Sequence, residues 1–168
     1  MENKYGQLYK EFISKYEMVG STSIICNKDG IIESGVYGYM NKEKEIPTSE
    51  NLDTIYRIAS ISKVIVALGV LLLVDEKKVD LDEDISKYLG FKVRNPYFAD
   101  EIITLKHVMT QTSSICDRVY DVVNSDDDPY VSLEDLLYNK DSKYYTKDTF
   151  LKTKPGKVFE YSNFGCGL

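Results

Sequence analysis

A serine and a lysine three residues apart are the side chains of this sequence best suited to chemistry. Ser60 and Lys63 stand just before a long apolar run. On a helix this spacing puts both side chains on one face, one turn apart. A serine hydroxyl becomes an effective nucleophile when a base lies within hydrogen-bond reach, and an amine serves as that base if burial lowers its pKa. The pair therefore predicts nucleophilic acyl chemistry at Ser60, with Lys63 as the base.

The structural interpretation of the same pair is a helix-capping serine followed by an exposed first-turn lysine. Capping explains Ser60, because serine is a favoured N-cap residue. It does not explain Lys63, because a cation in the first turn opposes the helix dipole. We interpret Ser62, which lies between them, as a packed neighbour rather than a second nucleophile.

The apolar run after Ser60 predicts the helix that must carry this pair. It extends to about Lys77, and its apolar residues surround the helix axis instead of forming a stripe. Such a pattern is typical of a helix buried on most sides. We therefore expect a stiff, buried platform whose low-dielectric surroundings lower the pKa of Lys63.

The segment before this helix predicts an amphipathic helix and a β-hairpin. Apolar spacing indicates a helix over residues 2–18, and β-branched runs at 22–26 and 31–39 indicate two strands. Asp29-Gly30 between the strands is a strong turn signal. We expect the two strands to pair antiparallel.

The segment after the helix predicts short helices and loops. Residues 82–89 form a short apolar segment, and Thr104 and Ser132 are candidate helix caps. The acidic run at 125–128 predicts a solvated loop. The whole pattern indicates a mixed α+β chain.

Composition excludes several classes of function. The chain has 168 residues and a formal net charge of −6, with no basic cluster, so we expect no nucleic-acid partner. Its longest apolar stretch, 64–74, is shorter than the roughly 20 residues that span a bilayer. The N-terminus carries no secretory signal.

The cysteines and the histidine indicate no metal and no cofactor. Cys26, Cys116 and Cys166 are widely spaced, which favours reduced thiols. A Ser-His-Asp triad would depend on His107 alone, and an isolated histidine is more often structural.

Four segments, in order, resemble the motifs of one family. They are residues 54–63, 79–89, 103–113 and 155–163, the last containing Tyr161-Ser162-Asn163. The chain resembles the serine β-lactamase and penicillin-binding-protein superfamily, in particular class C β-lactamases, D-alanyl-D-alanine carboxypeptidases and related esterases. A lone Ser-x-x-Lys is a weak signal, but several motifs in the family's order are a strong one.

The resemblance implies an α+β, β-lactamase/transpeptidase-like fold that is incomplete. An N-terminal helix and hairpin would precede a largely helical region. Residues 1–78 would be the N-terminal part of the α/β domain, and 79–168 part of the helical domain, truncated after Tyr-Ser-Asn.

The resemblance also implies roles for individual residues. Ser60 would attack a carbonyl to form an acyl-enzyme, and Lys63 would take its proton. Tyr161 would assist the transfer and protonate the leaving nitrogen. Asn163 would hydrogen-bond Lys63 or the substrate amide, and Gln111 is a candidate substrate-binding residue, with a turn role as its alternative. The partner would be a small acyl substrate: a β-lactam, a D-alanyl peptide or an ester.

The chain departs from the family's pattern in two places. Gln111-Thr112-Ser113-Ser114 stands where the family usually carries His-Thr-Ser-Gly, which removes a turn glycine. The family's third motif, Lys-Thr-Gly or His-x-Gly on a strand, is absent before Leu168. That strand supplies an oxyanion donor, and one such donor contributes about 2.7–4 kcal/mol. We therefore expect a fragment of a longer protein.

Two functional hypotheses follow. In the first, the full-length protein is an acyl-transfer serine hydrolase and this chain is its N-terminal part. In the second, the chain is a catalytically inactive binding or self-associating fragment, and a dimer would form through exposed sheet edges. Family members usually act outside the cytoplasm, whereas this sequence shows no signal, so the compartment stays open.

Overall fold

Two units make up the chain in a computed structural model, which describes residues 4–48, 53–123 and 130–168. The units are Met1–Ile58 and Ala59–Leu168. The predicted acidic loop at 125–128 lies outside the described residues. The predicted domain division at residue 78 stays a prediction.

The first unit is a helix followed by an antiparallel sheet. Helix α1 spans Lys4–Lys15, and strands β1, β2 and β3 span Gly20–Asn27, Gly30–Asn41 and Ile46–Pro47. The strands lie in the order β1-β2-β3, each antiparallel to its neighbour. Gly30, with a φ of 130°, begins β2 at the tight turn, where a glycine tolerates this backbone conformation. The predicted hairpin is confirmed.

The second unit begins with helix α2 and continues as short helices and loops. A 3₁₀ turn at Ala59–Ile61 leads into α2, Ser62–Asp75. The later elements are α3 (Ser86–Leu89), α4 (Leu105–Met109), a 3₁₀ turn at Asp117–Asp121, α5 (Leu133–Leu137), a 3₁₀ turn at Lys147–Thr149, and α6 (Asn163–Cys166). Side-chain oxygens of Thr104 and Ser132 cap α4 and α5, as their positions predict.

Helix α2 is not buried as its apolar composition predicts. None of its residues is buried, and the side chains of Ile65 and Leu72 are 60% and 66% exposed. The prediction was wrong because an all-round apolar pattern only identifies side chains that are suited to burial. Whether other segments of the chain cover those side chains is decided by the tertiary structure. The helix ends at Asp75, and Lys77 follows with a left-handed φ of 58°.

The core of the second unit is built by the short helices and the loops between them. Its buried members are the apolar residues Ile85, Val93, Ile103, Val108, Ile115, Val119, Leu136, Leu137, Phe150 and Phe164. Ile115 and Phe150, both almost fully buried, meet in an isolated antiparallel bridge. Cys116 N donates to Thr149 O at 2.9 Å. These contacts fix the segment that enters the 3₁₀ turn at Asp117–Asp121.

Candidate active site

Ser60 and Lys63 are positioned by the start of α2. Ser60 lies in the 3₁₀ turn, and Lys63 lies in the first turn of the helix. The preceding residue, Ala59, has a φ of 44°, a conformation that costs a non-glycine residue on the order of 1–3 kcal/mol. Lys63 Nζ donates to Ser60 Oγ at 3.2 Å. The spacing in sequence therefore brings the two side chains together as predicted.

Tyr161 and Asn163 reach the same place from the end of the chain. Ser60 Oγ and Tyr161 Oη share a hydrogen bond of 2.6 Å. Lys63 Nζ donates to Asn163 Oδ1 at 2.8 Å and lies 5.1 Å from the centroid of the Tyr161 ring. Four of the predicted site residues thus form one hydrogen-bonded cluster.

The electrostatics of this cluster favour an ammonium group beside an acidic phenol. Hydrogen bonding with Tyr161 is the main cause that raises the pKa of Lys63 above its ordinary value, and it outweighs desolvation. Hydrogen bonding with Lys63, and next with Ser60, lowers the pKa of Tyr161. The expected lowering of the Lys63 pKa was wrong, because α2 is not buried and the phenol stabilises the charged amine.

Gln111 holds the segment that carries Tyr161 and Asn163. Its Oε1 accepts a hydrogen bond from Ser162 N at 2.7 Å, and its Nε2 donates to Cys166 Sγ at 2.6 Å. Both ends of its side-chain amide are therefore engaged by the segment itself. This arrangement agrees with the turn role, and substrate binding by Gln111 stays a prediction.

Asp117 belongs to the same neighbourhood, and the sequence did not single it out. Its Oδ1 accepts hydrogen bonds from Ser162 Oγ at 2.8 Å and Phe164 N at 3.0 Å. Its Oδ2 accepts from both Asn163 N and Asn163 Nδ2, each at 3.1 Å. The sequence carried no signal for it, because the burial of the preceding Ile115 and Cys116, which makes hydrogen-bond donors necessary for a nearby charge, is seen only in the structure.

The sequence match to a known family covers all of these residues. A family model described as "Beta-lactamase" matches residues 6–168. The chain belongs to the beta-lactamase family. The resemblance inferred from the motifs is thereby confirmed.

Two curated relatives of this beta-lactamase-family chain are longer proteins. Protein flp of Staphylococcus aureus (strain N315) is 28% identical over 172 residues, which cover 99% of this chain and 32% of flp. Esterase EstB of Burkholderia gladioli is 29% identical over 109 residues, which cover 64% of this chain and 27% of EstB. The chain spans about a third of the length of flp.

A solved structure confirms the predicted fold class. The octameric penicillin-binding protein homologue from Pyrococcus abyssi superimposes with a TM-score of 0.67 at 25% identity, covering 97% of this chain and 37% of that one. The α+β, β-lactamase/transpeptidase-like fold predicted from the motifs is therefore confirmed.

Ser114 stands where the beta-lactamase family usually carries the glycine of His-Thr-Ser-Gly. Its φ is 66°, in the left-handed region that glycine favours. The buried side chain of Asn95 donates from Nδ2 to Ser114 Oγ at 2.9 Å and to Leu151 O at 2.8 Å. The serine thus adopts a glycine-like turn, and a buried amide holds it there.

An open groove of about 800 Å³ lies beside the cluster. Ser60, Lys63 and Tyr161 form part of its lining. Its other walls are mainly apolar and include Val66, Val70, Leu105, Val108, Met109 and Phe159. A carbonyl compound with an apolar substituent would fit such a surface next to the Ser60 hydroxyl.

Two further features of the described residues are the grouping of possible metal ligands and the length and polarity of the helices. Within 4–48, 53–123 and 130–168, no three His, Cys, Asp or Glu side chains are grouped so that they could hold an ion. Over the same ranges, every helix is too short or too polar to cross a membrane.

Proposed function

We propose that this chain carries the nucleophile and the proton-transfer groups of an acyl-transfer serine hydrolase. The observation that carries the proposal is the 2.6 Å hydrogen bond between Ser60 Oγ and Tyr161 Oη, with Lys63 Nζ 3.2 Å from the same serine oxygen. Membership of the beta-lactamase family and similarity to an esterase support the same reaction class.

In the proposed first step, Ser60 Oγ attacks the carbonyl carbon of the substrate. Tyr161, ionised as a phenolate, accepts the serine proton. Lys63 remains an ammonium group that stabilises the phenolate. The resemblance had given the base role to Lys63, and the proposal transfers it to Tyr161 because the pKa of the phenol is lowered while that of the amine is raised.

In the second step, the tetrahedral intermediate collapses. The bond from the carbonyl carbon to the leaving group breaks, and the leaving group takes the proton from Tyr161. The Ser60 N–H, at the start of α2, is suited to donate to the negative oxygen of the intermediate. Water then attacks the acyl-enzyme with Tyr161 again as base, which releases the acid and regenerates Ser60.

A small ester with an apolar substituent is the proposed substrate class. The mainly apolar groove beside Ser60 supports this choice, as does the similarity to an esterase. β-Lactams and D-alanyl peptides contain the same electrophilic carbonyl and serve as comparison substrates. Asn163, and in a supporting role Gln111, would keep Lys63 and Tyr161 in place during the reaction.

The test is intact-protein mass spectrometry of the chain after incubation with p-nitrophenyl acetate or a penicillin. We expect an adduct of one acyl group that disappears in Ser60→Ala and persists in Ser62→Ala, the neighbouring serine. Circular dichroism confirms that each variant is folded. A folded wild-type chain that forms no adduct with either compound contradicts the proposal for this chain.

The second hypothesis, a binding or self-associating fragment, is favoured by the exposed apolar surface of α2. Ile65 and Leu72 are among its exposed side chains. Large exposed apolar surfaces are typical of interaction sites. A folded chain that forms no adduct and sediments as a dimer would support this alternative.

A further inference from the structure

Asp117 makes an unusually complete set of hydrogen bonds to the segment that carries Asn163. Its two carboxylate oxygens accept four hydrogen bonds, from Ser162 Oγ, Asn163 N, Asn163 Nδ2 and Phe164 N, at 2.8–3.1 Å. All four donors belong to three consecutive residues at the start of α6. Asp117 directly follows Ile115 and Cys116, which are both buried.

The bond from Asn163 Nδ2 to Asp117 determines which way the Asn163 amide faces. Because the NH₂ group donates to a carboxylate, the carbonyl oxygen Oδ1 is turned to Lys63 Nζ, 2.8 Å away. The flipped amide would place its oxygen against the Asp117 carboxylate and its NH₂ against the Lys63 ammonium. Both contacts would be repulsive, since carboxylates only accept and ammonium groups only donate.

We propose that Asp117 is a positioning residue that acts through Asn163, holding its Oδ1 on Lys63 and thereby keeping the ammonium group in place beside Tyr161 and Ser60. The proposal rests on the proposed acyl-transfer function for its kinetic consequence. The proposal also predicts a change in the pKa of Lys63, which can be measured without any activity, because the hydrogen bond to Asn163 Oδ1 favours the charged amine.

The charge of Asp117 supports this role. Burial acts to raise the pKa of Asp117, but hydrogen bonds from Phe164, Ser162 and Asn163 outweigh it, so the pKa lies below its ordinary value. Asp117 is also among the groups that raise the pKa of Lys63, after Tyr161 and Cys166. The carboxylate therefore stays ionised at neutral pH.

The segment has other anchors, so Asp117 can be changed without removing its support. Gln111 Oε1 accepts from Ser162 N at 2.7 Å, and the backbone O of Gln111 accepts from Glu160 N at 2.8 Å. In Asp117→Asn, one oxygen becomes an NH₂ group. The new NH₂ group at position 117 would face Asn163 Nδ2, and two donors repel each other. The Asn163 amide would therefore flip, and Lys63 would lose the oxygen that accepts its hydrogen bond.

The experiment compares Asp117→Asn with Asp121→Asn, an exposed aspartate in the same 3₁₀ turn, in the full chain. The first readout is the pKa of Lys63, which is measured by NMR of isotope-labelled lysine. The signal of Lys63 is identified as the one that is missing in Lys63→Arg. We expect Asp121→Asn to leave this pKa unchanged and Asp117→Asn to lower it, by more in the wild-type background than in Asn163→Ala, where only the lost charge of Asp117 acts. An equal lowering in both backgrounds overturns the proposal. An unchanged Lys63 pKa in a folded Asp117→Asn variant overturns the proposal, even if the variant is less stable.

The second readout is the rate at which Ser60 is acylated, measured against pH. We expect Asp117→Asn to slow it by up to about 100-fold, the loss that a misplaced group causes. If the wild type forms no adduct but Asp117→Asn lowers the Lys63 pKa by more than it does in the Asn163→Ala background, the proposed function fails and the positioning role stands. If adduct forms and the Lys63 pKa does not move, the positioning role fails alone.

A measurement on the wild type covers the case in which Asp117→Asn does not fold. The side-chain ¹⁵N and ¹H signals of Asn163 should shift as Asp117 is protonated at acid pH, because the acceptor of Asn163 Nδ2 loses its charge. Asn163 signals that do not respond to this titration overturn the proposal.

Discussion

Ser60 Oγ and Tyr161 Oη are 2.6 Å apart although 101 residues separate them in the sequence. The contact joins the turn before α2 to the segment before α6, with Lys63 beside both residues. In the proposed function, this contact gives the serine hydroxyl a proton acceptor that is not a histidine. His107 has a structural role instead, since its Nδ1 accepts a hydrogen bond from Thr104 N at 3.2 Å in the cap of α4.

Tyr161→Phe should slow acylation of Ser60 strongly while leaving the chain folded. The variant removes the hydroxyl that is proposed to accept the serine proton, and such groups contribute about 10²–10⁴-fold to rate. The Tyr161 side chain is 45% exposed, so little packing is lost. The release of p-nitrophenol in a single turnover measures the effect. Tyr138→Phe, at a tyrosine with 48% exposure, is the control and should react at the wild-type rate.

The acylation rate should rise with pH and then fall. The rising limb follows ionisation of Tyr161. The pKa of Tyr161 is lowered, chiefly by hydrogen bonding with Lys63, so the rising limb should lie at a lower pH than an ordinary tyrosine would give. The falling limb follows loss of the proton from Lys63, whose pKa is raised, chiefly by hydrogen bonding with Tyr161. Single-turnover rates across this range test the assignment.

Lys63→Arg is the matched variant for this profile. Its guanidinium stays charged at high pH, so the falling limb should disappear even if the overall rate is lower. A rate that instead rises only as Lys63 loses its proton would assign the base to the lysine and contradict the phenolate mechanism.

Phe150→Ala should destabilise the second unit by about 3–5 kcal/mol. Phe150 is 1% exposed and forms the bridge with Ile115, so truncation leaves a cavity at the centre of the core. Phe159, in the same unit, is 68% exposed, and Phe159→Ala should change the free energy of unfolding by less than about 1 kcal/mol. Urea unfolding of both variants provides the comparison, and equal losses would show that the described core is wrong.

Part of the stability of the second unit should be lost in acid through Asp84. Its carboxylate forms a two-point ion pair with Arg94, Nη1 to Oδ1 being 3.1 Å. Burial acts to raise the pKa of Asp84, but hydrogen bonds from Arg94 and Ser86 outweigh it and the pKa is lowered. The contribution is therefore complete above the pKa of the unfolded chain and disappears as the pH falls through the lower folded-state value.

Asp84→Asn tests this relation in unfolding experiments at several pH values. The variant should be less stable than the wild type near neutral pH, and the difference should shrink as the solution becomes acidic. Asp82→Asn is the control, because the Asp82 side chain is 75% exposed and its contact with Lys106 is 3.5 Å long. A difference for Asp84→Asn that does not depend on pH would show that the ion pair is not its source.

Local sequence signals predicted the elements that depend on neighbouring residues. The hairpin around Gly30, the caps Thr104 and Ser132, and the approach of Lys63 to Ser60 all arise within a few residues, and all are present. The predicted end of α2, at about Lys77, lies slightly beyond the observed end at Asp75. Lys77 has a left-handed backbone conformation, which does not continue a helix.

Burial and charge could not be predicted in the same way. The composition of α2 predicted a buried helix and a lowered pKa for Lys63, yet none of its residues is buried and the pKa of Lys63 is raised. Both properties depend on which groups from distant parts of the chain surround the helix. A pattern in one segment carries no information about those groups.

The sequence by itself determined the family, the α+β class, the helical spacing of Ser60 and Lys63, and the residue types available for chemistry. Only the tertiary structure decided that Tyr161 is 2.6 Å from Ser60, that Lys63 lies within hydrogen-bond distance of Asn163, and that Asp117 orients the Asn163 amide. The physical reason is the distance along the chain over which each kind of interaction acts. Helix periodicity and capping act over a few residues, whereas pKa values and hydrogen-bond partners depend on atoms a few ångströms away in space, which can be a hundred residues away in the chain.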